Sequence, residues 1–99
     1  MTCKQIISTL RAHEAEIRAK GVVRLALFGS RMRGDHRPDS DLDVLVDIDP
    51  TLERFSLLDL VAVKRRLDEI VGLETNVVER KTMKPKFAQR IADDIVEVF

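Results

Sequence analysis

The chain has one cysteine, no tryptophan, no tyrosine, no net charge and no long apolar run. Cys3 alone excludes an internal disulfide framework and any cysteine-rich zinc site. With no histidine or basic cluster beside it, its thiol reads as inert. The aromatic content is four phenylalanines, and Phe28, Phe55 and Phe87 sit in patterns of core packing, which leaves no platform for stacking bases. Lysine plus arginine and aspartate plus glutamate number 17 each, which argues against a protein that lives on bulk attraction to nucleic acid or anionic lipid. No stretch approaches the roughly 20 apolar residues that span a bilayer. Met1–Lys20 mixes charge throughout and holds no apolar segment followed by a cleavage site. Internal repeats, low-complexity tracts and Ser/Gly-rich linkers are missing too. What remains, at 99 residues with 44% hydrophobic and 34% charged, reads as one small cytoplasmic domain over residues 1–99, neither disordered nor membrane-embedded.

The periodicity then places the elements. Ile6, Leu10 and Ile17, with Ile7 beside them, trace an amphipathic helix from about Lys4 to Lys20. Thr2 with Gln5 forms a capping-box pattern, and Gly21 is placed to stop the helix. Val22–Phe28 is a short, mostly buried strand that ends at Gly29-Ser30, and Ser30 is placed to cap a short helix as far as Gly34. Asp35–Ser40 is loop chemistry. From Asp41 to Ile48 the period is two: Leu42, Val44, Val46 and Ile48 point one way, Asp41, Asp43, Leu45 and Asp47 the other. Ser56 and Asp59 open a second helix whose apolar stripe is Leu57, Leu60, Val61, Leu67 and Val71, with Lys64 at its margin and Gly72 at its end. Leu73–Val78 is a third strand. Pro85 opens a final helix with Phe87, Ile91, Ile95 and Val98 on one face. The order predicts an α/β (α+β) fold, a mixed sheet of about three to four strands covered by helices.

Two features of this layout carry chemistry. Gly29 permits a tight turn in which backbone amides converge on one point, and a short helix from Ser30 adds a positive dipole end and a hydroxyl donor. Asp41 and Asp43, at i and i+2 on a strand, leave the same face about 6.6 Å apart along the chain. Such a pair reaches cations that hold phosphates, and oxygen-only ligands suit Mg²⁺. Alone, the first is an ordinary strand-to-helix turn and the second a solvated strand face. Together, on neighbouring strands, they supply both halves of a Mg-nucleotide site. Asp47, nearer the far end of the strand, belongs to the solvated face.

The run LFGSRMRGDHRPDSDLDVLV resembles the signature of the DNA polymerase β-like nucleotidyltransferase superfamily, and more narrowly that of the minimal nucleotidyltransferases (MNT). The resemblance extends from about Ile6 to Phe99. It implies the polymerase β-like nucleotidyltransferase fold, with Gly29 and Ser30 holding the β- and γ-phosphates of ATP, Arg31 a further phosphate contact, and Asp41 and Asp43 the catalytic ligands of Mg²⁺. It also implies a HEPN-domain toxin as partner in a hetero-oligomer. The chain would be the antitoxin of a type VII-like toxin–antitoxin pair, transferring AMP from ATP to a tyrosine of the toxin. The superfamily draws a third carboxylate from a later strand, and here Asn76 stands where that Asp is expected. An amide oxygen can ligate a metal but cannot take a proton from an attacking hydroxyl. Glu74, of the same strand parity, and Glu79 are the carboxylates nearest in sequence.

The chain itself offers no Tyr to modify, so an acceptor of that kind lies on another molecule. Charge neutrality and the lack of an added nucleic-acid-binding domain point to a protein acceptor rather than a nucleic acid. A second reading is a binding module that neutralises its HEPN partner by contact alone, Asn76 having ended catalysis. Lys64-Arg65-Arg66 reads as a solvated helix face because Asp68 and Glu69 share the helix. His13 reads as exposed, and His36 as a loop residue facing the site. The C-terminal helix, with Ile95, Val98 and Phe99, is the expected partner surface.

Overall fold

A computed structural model describes residues 2–99. The first helical segment is two helices, α1 (Cys3–Ala12) and α2 (Glu14–Ala19), not the single one that periodicity predicts. The break is His13: its ring Nδ1 lies 2.9 Å from the Thr9 carbonyl oxygen, which a continuous helix would give to the His13 amide, and that amide bonds to Leu10 instead. The Thr2–Gln5 capping box is present in both directions.

Strand β1 (Val22–Phe28) leads through the single helical turn α3 (Ser30–Arg33) and an exposed loop to β2 (Leu42–Ile48). Helix α4 (Leu57–Val71) starts at the Ser56–Asp59 capping box and stops at Gly72, whose φ of +68° is left-handed. Strand β3 (Thr75–Glu79), a 3₁₀ turn at Arg80–Thr82, helix α5 (Pro85–Ile91), a second 3₁₀ turn at Ala92–Asp94 and the short strand β4 (Val96–Glu97) complete the chain. The sheet order is β3-β2-β1-β4, with β1 antiparallel to both neighbours and β2 parallel to β3. This is a mixed four-stranded sheet covered by helices, as the element order predicts.

The final helix is shorter than its apolar spacing suggests. Beyond Ile91 the chain pairs with the free edge of β1, Val98 N–H donating to the Leu25 carbonyl at 2.8 Å and Leu25 N–H to that of Phe99 at 3.2 Å. Val98 is buried in the core and the Arg18 guanidinium lies 4.9 Å from the Phe99 ring centroid. These residues are internal packing, which corrects the expectation that they form a partner surface.

The two faces of the sheet are covered unequally. Leu25, Leu27, Leu42, Val44 and Val46 meet Ile6, Leu10 and Ile17 from α1 and α2, and Val63, Leu67 and Val71 from α4, in one continuous aliphatic core. On the other face Ala26, Phe28 and Leu45 are covered by Ile91 and Phe87 of α5, with Met83 and Ile95 at its two ends. Lys64-Arg65-Arg66 is more than a solvated face: Arg66 pairs with Glu16 of α2 and Glu69, and Lys64 with Asp68 and Glu74.

Candidate functional site

The site lies at one end of the thinly covered face. Antiparallel register puts Phe28 opposite Asp43, and the chain leaves β1 at Gly29 with φ +83°. A Cβ at Gly29 would lie 2.1 Å from Asp43 Oδ2. Only glycine lets this turn rest against the carboxylate. Gly29, not Ser30, is the cap position of α3, and Ser30 is its first helical residue. The carbonyl of Gly29 accepts from Met32 and Arg33 at 3.0 and 3.1 Å, and that of Ser30 from Gly34 at 2.9 Å. Amides at the start of such a turn have no partner inside it and point outward.

Arg31 faces elsewhere. It is 7% exposed, its Nε donates to the Ser40 carbonyl at 3.0 Å and its Nη2 to that of Pro38 at 3.4 Å, while its own carbonyl accepts from Cys3 Sγ. Its guanidinium therefore braces the loop that leads into Asp41, in contrast to the phosphate contact expected from sequence.

Asp41 is exposed just before β2, and Asp43 is half-buried. The parallel register of β2 and β3 pairs Asp43 with Asn76, whose Nδ2 donates to Asp43 Oδ1 at 3.2 Å. Burial pushes the Asp43 carboxyl above the ordinary Asp range; the Asn76 hydrogen bond opposes that, the Asp41 charge adds to it and the Arg33 charge offsets it. Neither candidate for a third carboxylate joins them. Glu74 accepts from Lys64 Nζ at 2.8 Å, and Glu79 lies at the far end of β3, opposite Val46. Among the described residues no three His, Cys, Asp or Glu side chains group closely enough to hold a metal ion. Asp43 and Asn76 line the cleft together, while the exposed Asp41 lies outside its lining and reaches Asp43 only through its charge. Carboxylates of this kind would suit Mg²⁺, a hard cation that keeps several waters and is held by one or two carboxylates together with substrate phosphates. A half-buried carboxyl raised chiefly by desolvation is also a group that a cation would restore to its charged form.

Gly29, Ser30, Asp43 and Asn76 share one open cleft of about 430 Å³, whose other wall is Arg33, Phe87 and Arg90. Sequence reasoning missed that wall. Phe87 packs edge-on against Phe28, with ring centroids 5.9 Å apart, and the Arg90 guanidinium lies 5.9 Å from the Phe87 centroid. Phe87 thus gives the cleft the aromatic surface that composition seemed to exclude. Its signal was the Phe87–Arg90 spacing of one helical turn. Arg33 is held beside the cleft by Asp35 at 3.2 Å and Asp94 at 3.0 Å. His36, in the exposed loop, does not line the cleft. A wider depression of about 640 Å³ along α1, lined by Lys4, Ile7 and Arg11, contains none of these groups and no chemistry of this kind. No helix is long and apolar enough to cross a membrane among the described residues.

Residues 10–98 match the family described as nucleotidyltransferase domain. Over 99 residues, covering 99% of this chain and 97% of the relative, the sequence is 34% identical to protein adenylyltransferase MntA of Thermococcus cleftensis. A solved structure provisionally assigned as a minimal nucleotidyltransferase superposes with a TM-score of 0.68 at 30% identity, covering 97% of this chain and 95% of the other. The MNT antitoxin complex with the tri-AMPylated HEPN toxin of Shewanella oneidensis matches at a TM-score of 0.65 and 14% identity, over 94% of this chain and 71% of that one. At that identity the likeness is one of fold.

Proposed function

Because the chain belongs to the nucleotidyltransferase-domain family, we propose that it transfers AMP from ATP to a tyrosine hydroxyl of a HEPN-domain toxin and so serves as the antitoxin of the pair. The observation that carries this reading is the apposition of Gly29 and Asp43, a turn that accepts only glycine resting on a carboxylate above its ordinary pKa range. Near-full-length similarity to a protein adenylyltransferase supports AMP as the transferred group. Charge neutrality supports a protein acceptor over a nucleic acid.

In this reaction the acceptor hydroxyl attacks the α-phosphorus of ATP, the bond to the β-phosphate oxygen breaks, pyrophosphate leaves and the hydroxyl proton passes to solvent. The backbone turn at Gly29 and the Ser30 hydroxyl hold the β- and γ-phosphates in place for in-line attack. Arg90, on the same wall, adds positive charge, and Phe87 offers an aromatic surface to the base. Asp41 and Asp43 would hold Mg²⁺, with Asn76 hydrogen-bonded to Asp43 beside it; such an ion would supply positive charge to the phosphoryl oxygens. Asn76 cannot act as a general base, a role worth about 10²–10⁴-fold, so turnover is slow. Incubating the purified protein with the HEPN-domain protein of the same genome and Mg-ATP tests the reading by intact mass. An added AMP that disappears in Asp43→Asn is expected; no adduct from wild type counts against it.

A second reading, neutralisation by binding alone, is favoured by one observation, the Asn76 amide donating to Asp43 where a third carboxylate would repel it. It predicts that Asp41→Asn and Asp43→Asn leave neutralisation intact. An adduct formed only by Asn76→Asp would also support it.

A further inference from the structure

One stripe of α4 runs Asp68, Lys64, Val61, Leu57, spaced by three and four residues. At its C-terminal half the stripe is fastened to the start of β3. Asp68 accepts from the Thr75 amide at 2.7 Å and from its hydroxyl at 2.5 Å, and Lys64 donates to Asp68 and Glu74 at 2.9 and 2.8 Å. The N-terminal half continues with nothing over it. Leu57 is 76% exposed, Val61 43%, and Leu58, on the adjoining flank, 79%. The apolar stripe read from sequence placed Leu57 and Val61 inward. The helix instead turns Val63, Leu67 and Val71 to the core, and the Ser56–Asp59 capping box holds the first turn in that rotation.

Below this face a shallow groove of about 140 Å³ separates α4 from β3, lined by Leu60, Val61, Lys64, Asn76 and Val77. Strand β3 is an edge strand paired with β2 alone, so one side of its backbone is unpaired. Asn76 lines both this groove and the cleft that holds Gly29, Ser30 and Asp43. The apolar face and the site are therefore continuous through one side chain. On its opposite side the cleft is bounded by the arginines and Phe87, the wall suited to a nucleotide.

We propose that Leu57, Leu58 and Val61, with the groove at the free edge of β3, form the docking surface for the acceptor protein, whose own apolar surface seats there and brings its hydroxyl across Asn76 to Asp43. The proposal rests on the reading that the chain adenylylates a protein. A second copy of this chain is a poorer occupant, because it carries no tyrosine to present. A nucleic acid is poorer still: the face is aliphatic, and Lys64, the cation in the groove, is already bound to two carboxylates.

The test is the double variant Leu57→Glu/Val61→Glu in the full chain. Both side chains face solvent, so its thermal midpoint should match wild type. With the HEPN-domain protein of the same genome as probe, affinity should fall at least tenfold, and AMP transfer at limiting acceptor by the same factor. Affinity for the ATP analogue AMP-PNP should not change. Wild-type affinity in the double variant overturns the proposal. So does a wild type that fails to bind the probe, or a variant that merely dissociates a homodimer and still captures the probe normally. Tenfold weaker binding by the variant, with no AMP adduct from wild type, would leave the docking surface standing and remove the transferase reading instead.

Discussion

Asp43 and Asp47 lie four residues apart on the same face of β2, with the buried Leu45 between them, and their surroundings are opposite. Asp47 accepts from Arg80 Nε at 3.1 Å and lies 3.8 Å from Arg24 Nε, and both arginines reach on to Glu97. It is tied into a network of paired charges rather than simply solvated. Among the described residues Asp43 has no such ion pair: its one side-chain partner is the Asn76 amide, and Gly29 packs against its other oxygen. The difference teaches how the strand divides its labour. A carboxylate that closes a sheet is given arginines, whereas the one we propose as a cation ligand is left short of positive charge and half-buried, which disfavours its ionised form.

Four substitutions break or sharpen this comparison, from the largest effect to the smallest. Leu10→Ala, in the aliphatic core remote from both aspartates, should cost about 2–5 kcal/mol. That is a fall in thermal midpoint of roughly 10 °C or more, with AMP-PNP binding kept below the new midpoint. Loss of nucleotide binding at low temperature would show that the two faces are not separable. Asp43→Asn should reduce AMP transfer by about 10²–10³-fold without lowering stability. The sign follows from the raised pKa: the folded chain holds the Asp43 proton more tightly than the unfolded one, so the advantage is full below the ordinary Asp value and is lost as pH rises through the raised value. At neutral pH the charged group is a burden, and the Asn variant should melt at or above wild type. A clear drop in its midpoint would refute the assignment of Asp43 as an undercompensated charge. For the same reason Mg²⁺ affinity, followed by titration calorimetry, should weaken toward acid pH with a midpoint above that of a free aspartate.

Gly29→Ala is next. The added methyl meets Asp43 at a positive φ, and strain of this kind costs about 1–3 kcal/mol. Nucleotide affinity should fall with it. Adding Asp43→Ala should recover only the part of the midpoint set by the contact, and none of the activity, because alanine at φ +83° stays strained; no recovery at all would mean that φ alone sets the cost. Smallest is Asp47→Asn, a change in a partly buried ion pair that keeps an oxygen for Arg80 and is expected to cost about 1 kcal/mol, with transfer unchanged. An activity loss as large as that of Asp43→Asn would erase the distinction.

Much of this was legible because it is local. Both capping boxes, Thr2–Gln5 and Ser56–Asp59, need only a spacing of three, and β2 declares its two faces by strict alternation. The turn at Gly29 and the pair Asp41–Asp43 stand out for the same reason. What could not be read is set by partners distant in sequence. Ile95 and Val98 have good helical spacing, yet the unpaired edge of β1 takes that segment as a strand. Leu57 and Val61 fit an inward stripe until the packing of Val63, Leu67 and Val71 fixes the rotation of α4. Arg31 looks like a phosphate ligand from its position after Gly-Ser, but the Ser40 and Pro38 carbonyls take its guanidinium. Phe87 and Arg90 enter the cleft only because α5 folds back over β1 and β2.

The single parallel pairing of the sheet bears on the order in which the site assembles. Gly29, Ser30 and Asp43 are brought together by the β1–β2 hairpin, whereas Asn76 reaches Asp43 across 33 residues and a crossover helix. Closing the longer loop costs more chain entropy, and edge strands open more readily than interior ones. The half of the cleft built from Gly29, Ser30 and Asp43 is thus the early, persistent half, and the Asn76 half the late, labile one. Amide hydrogen exchange should show this as slower exchange in β1 and β2 than in β3. A nucleotide bound to the first half would then be waiting when the second closes, and an acceptor seated on α4 and β3 would fasten the strand most prone to detach.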